Sequence, residues 1–306
     1  MKILITGGAG FIGSHVAESC IDAGHKIAIL DNLSSGNIDN VPKQANLYLM
    51  DLLDSEILPV LEKEKPSAVI HLAAQSDVSS SINSPVEDAN NNIIGSINLF
   101  SCCAKIGINK IIYISTAAVY GEPQNLPVKE DHPIMPLNPY GYSKYVPEMY
   151  LRYYQTTYQL NYAILRCANV YGPRQIASAE GGVVAIFIEK LVKGLRPTIY
   201  GDGEQTRDFI YVRDIASAAL LSLEADTCGV FNIGTCKQVS VNALFSIVCN
   251  IISKNPIEPI YAPRREGDIR FNYLDITESN RNLEWKPKYS LEKGLKETFE
   301  WRRSIK

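Results

Sequence analysis

The chain has 306 residues, 46% hydrophobic and 21% charged, with a formal net charge of -3, which suits one large globular domain or a domain with an appended lobe. Lys plus Arg at 30 against Asp plus Glu at 33 leaves no broad basic field, so nucleic acid and anionic membrane are excluded as partners and an anionic ligand must be held locally. No apolar run approaches the ~18 residues of a membrane span. No signal-peptide pattern follows Lys2, and the seven cysteines are odd in number and dispersed, which predicts a cytoplasmic chain with no metal site.

The first predicted element is the strand KILIT, followed by a turn carrying Gly7, Gly10 and Gly13 and then the helix FIGSHVAESCIDAG. Gly7 permits a tight turn, Gly10 lets the backbone approach a pyrophosphate, and Gly13 lets helix pack closely on strand. The helix N-terminus adds free N–H groups and a positive dipole end. The next strand, KIAILD, ends in Asp31, about 20 residues on, where a carboxylate accepts ribose hydroxyls and repels a 2'-phosphate. NAD is therefore predicted over NADP. ANLYLMD, a helix around DSEILPVLEKEK, and the strand SAVIHLAA continue the alternation. His71 within that strand reads as a satisfied core residue, and Cys102 with Cys103 as small buried hydrophobes.

A long helix near Pro85 to Ile106 leads to the strand KIIYIST, which places the Ser115 and Thr116 hydroxyls at its carboxyl end. A helix from about Tyr140 to Tyr158 puts Tyr140 and Lys144 on one face, with Pro147 predicting a kink just beyond them. A tyrosine has an ordinary pKa of about 10; a neighbouring cation lowers it, as would the positive nicotinamide ring of an oxidised cofactor. After YAILRCANVYG the rhythm loosens. The expected architecture is α/β, a Rossmann-type doubly wound parallel sheet over 1–172 with a smaller C-terminal substrate-binding lobe over 173–306, some of whose segments return to the main sheet.

TGGAGFIG, Asp31, HLAA, STAAVYG, YGYSK, LRCANVYG, RDFIYV and RREGD, in this order over nearly the whole chain, resemble the extended short-chain dehydrogenases/reductases, and within them the UDP-glucose 4-epimerase group. The resemblance implies NAD contacts from Gly7, Gly10, Phe11, Ile12, Gly13, Asp31 and Asn32. It implies that Asp51 and Leu52 flank adenine, and that Leu72, Ala73, Ala74, Gln75 and Asn92 line the middle of the cofactor. Thr116, Tyr140 and Lys144 match the catalytic triplet, the last two also touching NAD. Asn169, Val183, Thr198, Tyr200, Arg207, Arg265 and Asp268 match UDP-binding positions, for which a planar guanidinium suits diphosphate oxygens.

The implied activity is NAD-dependent inversion at C4 of a UDP-sugar through a 4-keto intermediate. Related dehydratases and decarboxylases carry an acid after the catalytic Thr or Ser; here Ala117 and Ala118 stand there, and alanine moves no proton. Asn272 falls where hexose-restricted relatives often carry a bulky Tyr, so UDP-GlcNAc/UDP-GalNAc is expected alongside UDP-glucose/UDP-galactose. The alternatives are a UDP-glucuronate 4-epimerase or another nucleotide-sugar dehydratase or reductase, and a catalytically silent nucleotide-binding protein. The helices near Ile93 and Tyr150 are apolar enough for a homodimer interface of the kind many relatives form.

Overall fold

The computed structural model describes residues 1–177, 182–253, 257–265 and 267–305. The chain runs β1 (Lys2–Thr6), α1 (Phe11–Asp22), β2 (Lys26–Asp31), β3 (Asn46–Leu49), α2 (Ile57–Glu64), β4 (Ala68–His71), α3 (Val78–Asn83), α4 (Pro85–Ala89), α5 (Gly95–Ile106), β5 (Lys110–Thr116), α6 (Pro139–Tyr158) and β6 (Asn161–Cys167). It continues through β7 (Asn169–Tyr171), α7 (Val183–Val192), β8 (Thr198–Tyr200), β9 (Thr206–Arg207), β10 (Phe209–Tyr211), α8 (Val212–Glu224) and β11 (Gly229–Ile233). β12 (Val239–Ser240), α9 (Val241–Ile252), β13 (Ile260–Ala262), α10 (Thr277–Asn282) and α11 (Leu291–Ser304) complete it.

Seven strands pair in parallel in the order β11-β6-β5-β4-β1-β2-β3. Their sequences are apolar almost without break because both faces are covered. Ile3 and Ile5 face one layer with Val16, Ala17 and Cys20 of α1 and Ile215 and Ala219 of α8. Leu4, one residue out of phase, faces the other with Leu61, Leu99, Phe100 and Leu151 of α2, α5 and α6. The strand order reverses beside β1, between β2 and β4, and ligands of such sheets bind at the carboxyl ends flanking that point. A third apolar cluster, with Phe187, Leu191, Leu244, Phe245 and Leu295, unites α7, α9 and α11 away from the sheet. The chain does return to the sheet: β11 is its edge strand and α8 packs on α1.

Local departures from the sequence reading have side-chain causes. The helix expected from Pro85 to Ile106 contains a π-turn over Asn90–Ile94 between α4 and α5, and Asn92 in that turn is held by four side-chain hydrogen bonds. RDFIYV divides at Asp208, whose buried carboxylate accepts from the N–H groups of Thr235, Cys236 and Leu274 and from the Thr235 hydroxyl. Pro147 lies inside α6, which continues past it to Tyr158. His71 is fully buried and satisfied, its Nδ1 2.7 Å from Thr6 Oγ1 and its Nε2 2.9 Å from Ser96 Oγ.

Candidate active site

The glycine turn is shaped by close approach. Gly7 has φ +71, and a Cβ there would stand 2.7 Å from the Ala73 nitrogen; a Cβ on Gly13 would lie 2.0 Å from the Gly7 carbonyl oxygen. No side chain fits at either place, so backbone and the N-terminus of α1, with Phe11 and Ile12, face the cradle. Asp31 ends β2 only 6% exposed. Its carboxylate accepts from Ala9 N–H at 2.9 Å and from Leu33 N–H at 2.8 Å, which pins the second strand's end against the glycine turn and leaves lone pairs for further donors. Asn32 Nδ2 donates to Asp51 at 2.8 Å, beside buried Leu52. A glycine-lined anion cradle with a carboxylate at its rim fits an adenine dinucleotide.

Leu72, Ala73, Ala74 and Gln75 leave β4 partly buried, the first two N–H groups donating to Thr6 Oγ1. Asn92 departs from its expected role. It is 1% exposed, its Oδ1 accepts from Gln75 N–H, and its Nδ2 donates to Gln75 O, Asp88 Oδ1 and Ser143 Oγ. It fixes the Gln75 loop to α6 and has no surface left for a ligand.

Thr116 lies near enough to Tyr140 to favour its charged form, and Thr116 Oγ1 accepts from Ala118 N–H at 3.1 Å. Ser115 does not join them. It points into α6 and donates to Glu148 Oε1 at 2.6 Å, 4% exposed, because neighbouring residues on a strand face opposite ways. Lys144 is buried, its Nζ 4.3 Å from the centre of the Tyr113 ring. Burial by the chain itself pushes the Tyr140 phenol up to about 12, with Cys167 and Asp88 adding to the rise and Thr116 opposing it. The same burial draws the Lys144 ammonium down to about 8. A phenolate here needs positive charge that the chain alone does not bring to Tyr140.

A cavity of about 690 Å³ opens beyond, and Asn169, Val183, Thr198, Tyr200, Arg207, Arg265 and Asp268 all line it. Arg207 donates to the carbonyls of Thr206 and Ile269 at 2.8 and 2.7 Å and pairs with Asp268; Arg265 lies over the Tyr200 ring at 4.1 Å. Among the described residues four basic side chains line this cavity against two acidic ones, Lys190 and Lys193 being the other cations and Glu189 the other acid. The wall therefore favours an anion. Asn272 is not on it. It sits 9% exposed with its Oδ1 buried and unpartnered, held by its N–H to Thr206 O at 3.3 Å.

Sequence reasoning missed the pair beneath the catalytic helix. Arg166 of β6 binds Glu148 of α6 through Nε at 3.2 Å and Nη2 at 2.6 Å, and its Nη1 donates to Tyr120 Oη and Glu130 O. Two signals were available: Tyr140, Lys144 and Glu148 fall at four-residue spacing, and Arg166 interrupts an apolar strand, where a charge requires a partner. Among the described residues no group of three or more His, Cys, Asp or Glu could hold a metal ion.

A profile described as the NAD dependent epimerase/dehydratase family matches residues 3–234. A UDP-glucose 4-epimerase from Thermotoga maritima, solved with UDP-glucose, is 45% identical, covers 99% of each chain and superimposes with a TM-score of 0.96. A UDP-N-acetylglucosamine 4-epimerase from Methanobrevibacter ruminantium, solved with UDP-N-acetylmuramic acid, is 38% identical over 100% of this chain and 99% of that one, with a TM-score of 0.96. A UDP-glucose 4-epimerase from Thermus thermophilus, solved with NAD, is 37% identical over 100% of both chains, with a TM-score of 0.94.

Proposed function

The chain belongs to the NAD-dependent epimerase/dehydratase family, and from that premise we propose that it inverts C4 of a UDP-sugar through a 4-keto intermediate. The observation that carries this is the anion-favouring cavity lined from Asn169 onward, just past the end of β6, in a chain that also brings Thr116 to Tyr140 and buries Lys144. The main sheet with its glycine turn holds the cofactor, and the lobe after Gly172 holds the nucleotide. Residues Gly7, Gly10, Phe11, Ile12, Gly13, Asp31 and Asn32, with Asp51, Leu52, Leu72, Ala73, Ala74 and Gln75, would hold NAD, which would supply reversible hydride acceptance with no net redox.

Within that frame the side chains have separate tasks. Tyr140 takes the proton of the 4-hydroxyl and gives it back, which requires the phenolate that burial alone opposes. Thr116 donates to the same oxygen and fixes its place. Arg207 and Arg265 anchor the diphosphate while the 4-keto sugar turns its other face; a sugar pocket with few fixed partners permits that rotation. Ala117 and Ala118 leave no acid for dehydration or decarboxylation.

Substrate choice turns on Asn272. The resemblance sets Asn272 beside C2 of the sugar, where a side chain shorter than Tyr would leave room for an acetyl group, and this supports a dual hexose and N-acetylhexosamine range; the residue lies behind the cavity wall and would act by the space it leaves. Incubation with UDP-glucose, UDP-GlcNAc and UDP-glucuronate separately, followed by product identification, tests the reading: no C4 inversion of any of the three refutes it. Asn272→Tyr should lower turnover of the N-acetyl pair at least tenfold and spare the hexose pair; unchanged N-acetyl turnover removes Asn272 from the account.

The assembly follows from the surface. Tyr142, Met149 and Tyr153 of α6 and Ile94 beside α5 are exposed, an apolar stripe that a second copy would cover, making a homodimer. Sedimentation of wild type and Tyr153→Glu decides between dimer and monomer. No helix of the described residues is long and apolar enough to cross a membrane, and all seven cysteines are free thiols, as a reducing, cytoplasmic setting would keep them.

A further inference from the structure

Lys144 has an electrostatic difficulty that its own helix does not solve. It is 4% exposed, yet its role beside Tyr140 depends on a positive charge, and burial disfavours the charged form. Five groups face it. From α6 comes Glu148, from α4 Asp88, from β6 Cys167, from β4 His71 and from β5 Tyr113. Glu148 is committed to Arg166 and Ser115, and Asp88 Oδ1 to Gln75 and Asn92. Cys167 stays a thiol, pushed up to about 12 by burial. His71 is held neutral, its pKa well below the usual value.

Tyr113 touches Lys144 at both ends of the residue. Its hydroxyl donates to the Lys144 carbonyl at 3.1 Å, and its ring centre lies 4.3 Å from the Lys144 ammonium. The ring is fully buried and its plane is set by stacking on His71 at 5.4 Å and an edge contact with Phe100 at 6.3 Å. Burial keeps the phenol protonated, so what Tyr113 offers the ammonium is the negative face of a neutral ring in a dry site, where such a contact is strongest.

We propose that Tyr113 is the positioning residue that keeps Lys144 both seated and charged, its ring supporting the ammonium while its hydroxyl clips the main chain of the same residue. It touches neither substrate nor cofactor and acts through Lys144 alone. The inference rests on the epimerase reading only for its readout.

The test is the pH dependence of kcat/KM for UDP-sugar epimerisation in the NAD-loaded protein. Tyr113→Met removes the ring at similar volume, and Tyr113→Phe keeps the ring and loses the hydroxyl. In Tyr113→Met the alkaline limb should move down by about one pH unit with KM little changed. Tyr113→Phe should keep the wild-type limb and lose at most a few-fold in kcat. A Tyr113→Met profile that superimposes on wild type, or a Tyr113→Phe limb displaced as far as that of Tyr113→Met, overturns the proposal. Where Tyr113→Met does not fold, Phe with one to three ring fluorines at position 113 weakens the ring face at nearly constant shape. A limb that falls with each fluorine supports the proposal, and one that stays fixed refutes it. If wild type inverts none of the three UDP-sugars, it is the epimerase reading that has failed rather than the seat.

Discussion

Replacing Glu148 by Gln removes the negative half of a pair in which Arg166 is 1% exposed and Glu148 fully buried. The guanidinium would keep its bonds to Tyr120 Oη at 3.0 Å and Glu130 O at 3.2 Å but lose the carboxylate that neutralises it. An intact buried pair is worth little against apolar residues of the same volume, whereas breaking one by removing a single partner costs about 3–5 kcal/mol. For 306 residues an unfolding entropy of ~2.1 cal/mol/K per residue gives about 0.64 kcal/mol/K. The expected fall in Tm is then about 5–8 °C, read by calorimetry at equal, saturating NAD so that ligand linkage is the same in each variant. The double variant Glu148→Leu/Arg166→Met should recover to within about 2 °C of wild type, since no charge is left stranded. A loss below about 2 °C in Glu148→Gln would show that water reaches Arg166. A double variant worse than the single would show that the pair's attraction, and not the stranded charge, was the larger effect.

Tyr140→Phe should lower kcat by about 10²–10⁴ while UDP affinity, read by calorimetric titration, stays within a few-fold; inversion at native speed would remove Tyr140 from the chemistry. Gly13→Ala should abolish NAD retention, measured by absorbance of the purified protein, because its Cβ would lie 2.0 Å from the Gly7 oxygen; full retention would show that α1 can withdraw from the turn. Lys144→Met should inactivate the enzyme yet stabilise the cofactor-free protein at pH 7. Burial lowers the ammonium from 10.5 to about 8, so the folded chain bears the cost of a desolvated charge below about pH 8, and the cost fades as the pH rises towards 10.5, where the unfolded chain loses its extra proton. The gain, on the order of 3 kcal/mol, should therefore shrink between pH 8 and 10.5 in urea titrations; a variant less stable than wild type at pH 7 refutes it.

Spacing along a helix shows that Tyr140 and Lys144 share a face, but the state of the phenol also depends on its burial and on groups from other elements, Thr116 of β5, Cys167 of β6 and Asp88 of α4. Ser115 is a similar case. Sequence places it beside Thr116, and only the pleat of β5 sends its hydroxyl to Glu148. The resemblance puts Asn92 along the cofactor, yet the π-turn of Asn90–Ile94 aims its amide at the Gln75 loop and Ser143.

What the amino-acid order determined by itself was local or periodic: the alternation of apolar strands with amphipathic helices, the glycine turn, Asp31 at the end of the second strand, and the Tyr140–Lys144 face. Each depends on neighbours within a few residues or on a repeat, so it can be read without knowing where the chain goes. Tertiary structure alone decided which later segments rejoin the sheet, that Arg207, Arg265 and Asp268 share one cavity, and that Tyr113, Glu148 and Arg166 support the catalytic helix. Those relations join residues far apart in sequence, and whether a charge is neutralised or stranded depends on the water and side chains that folding brings to it.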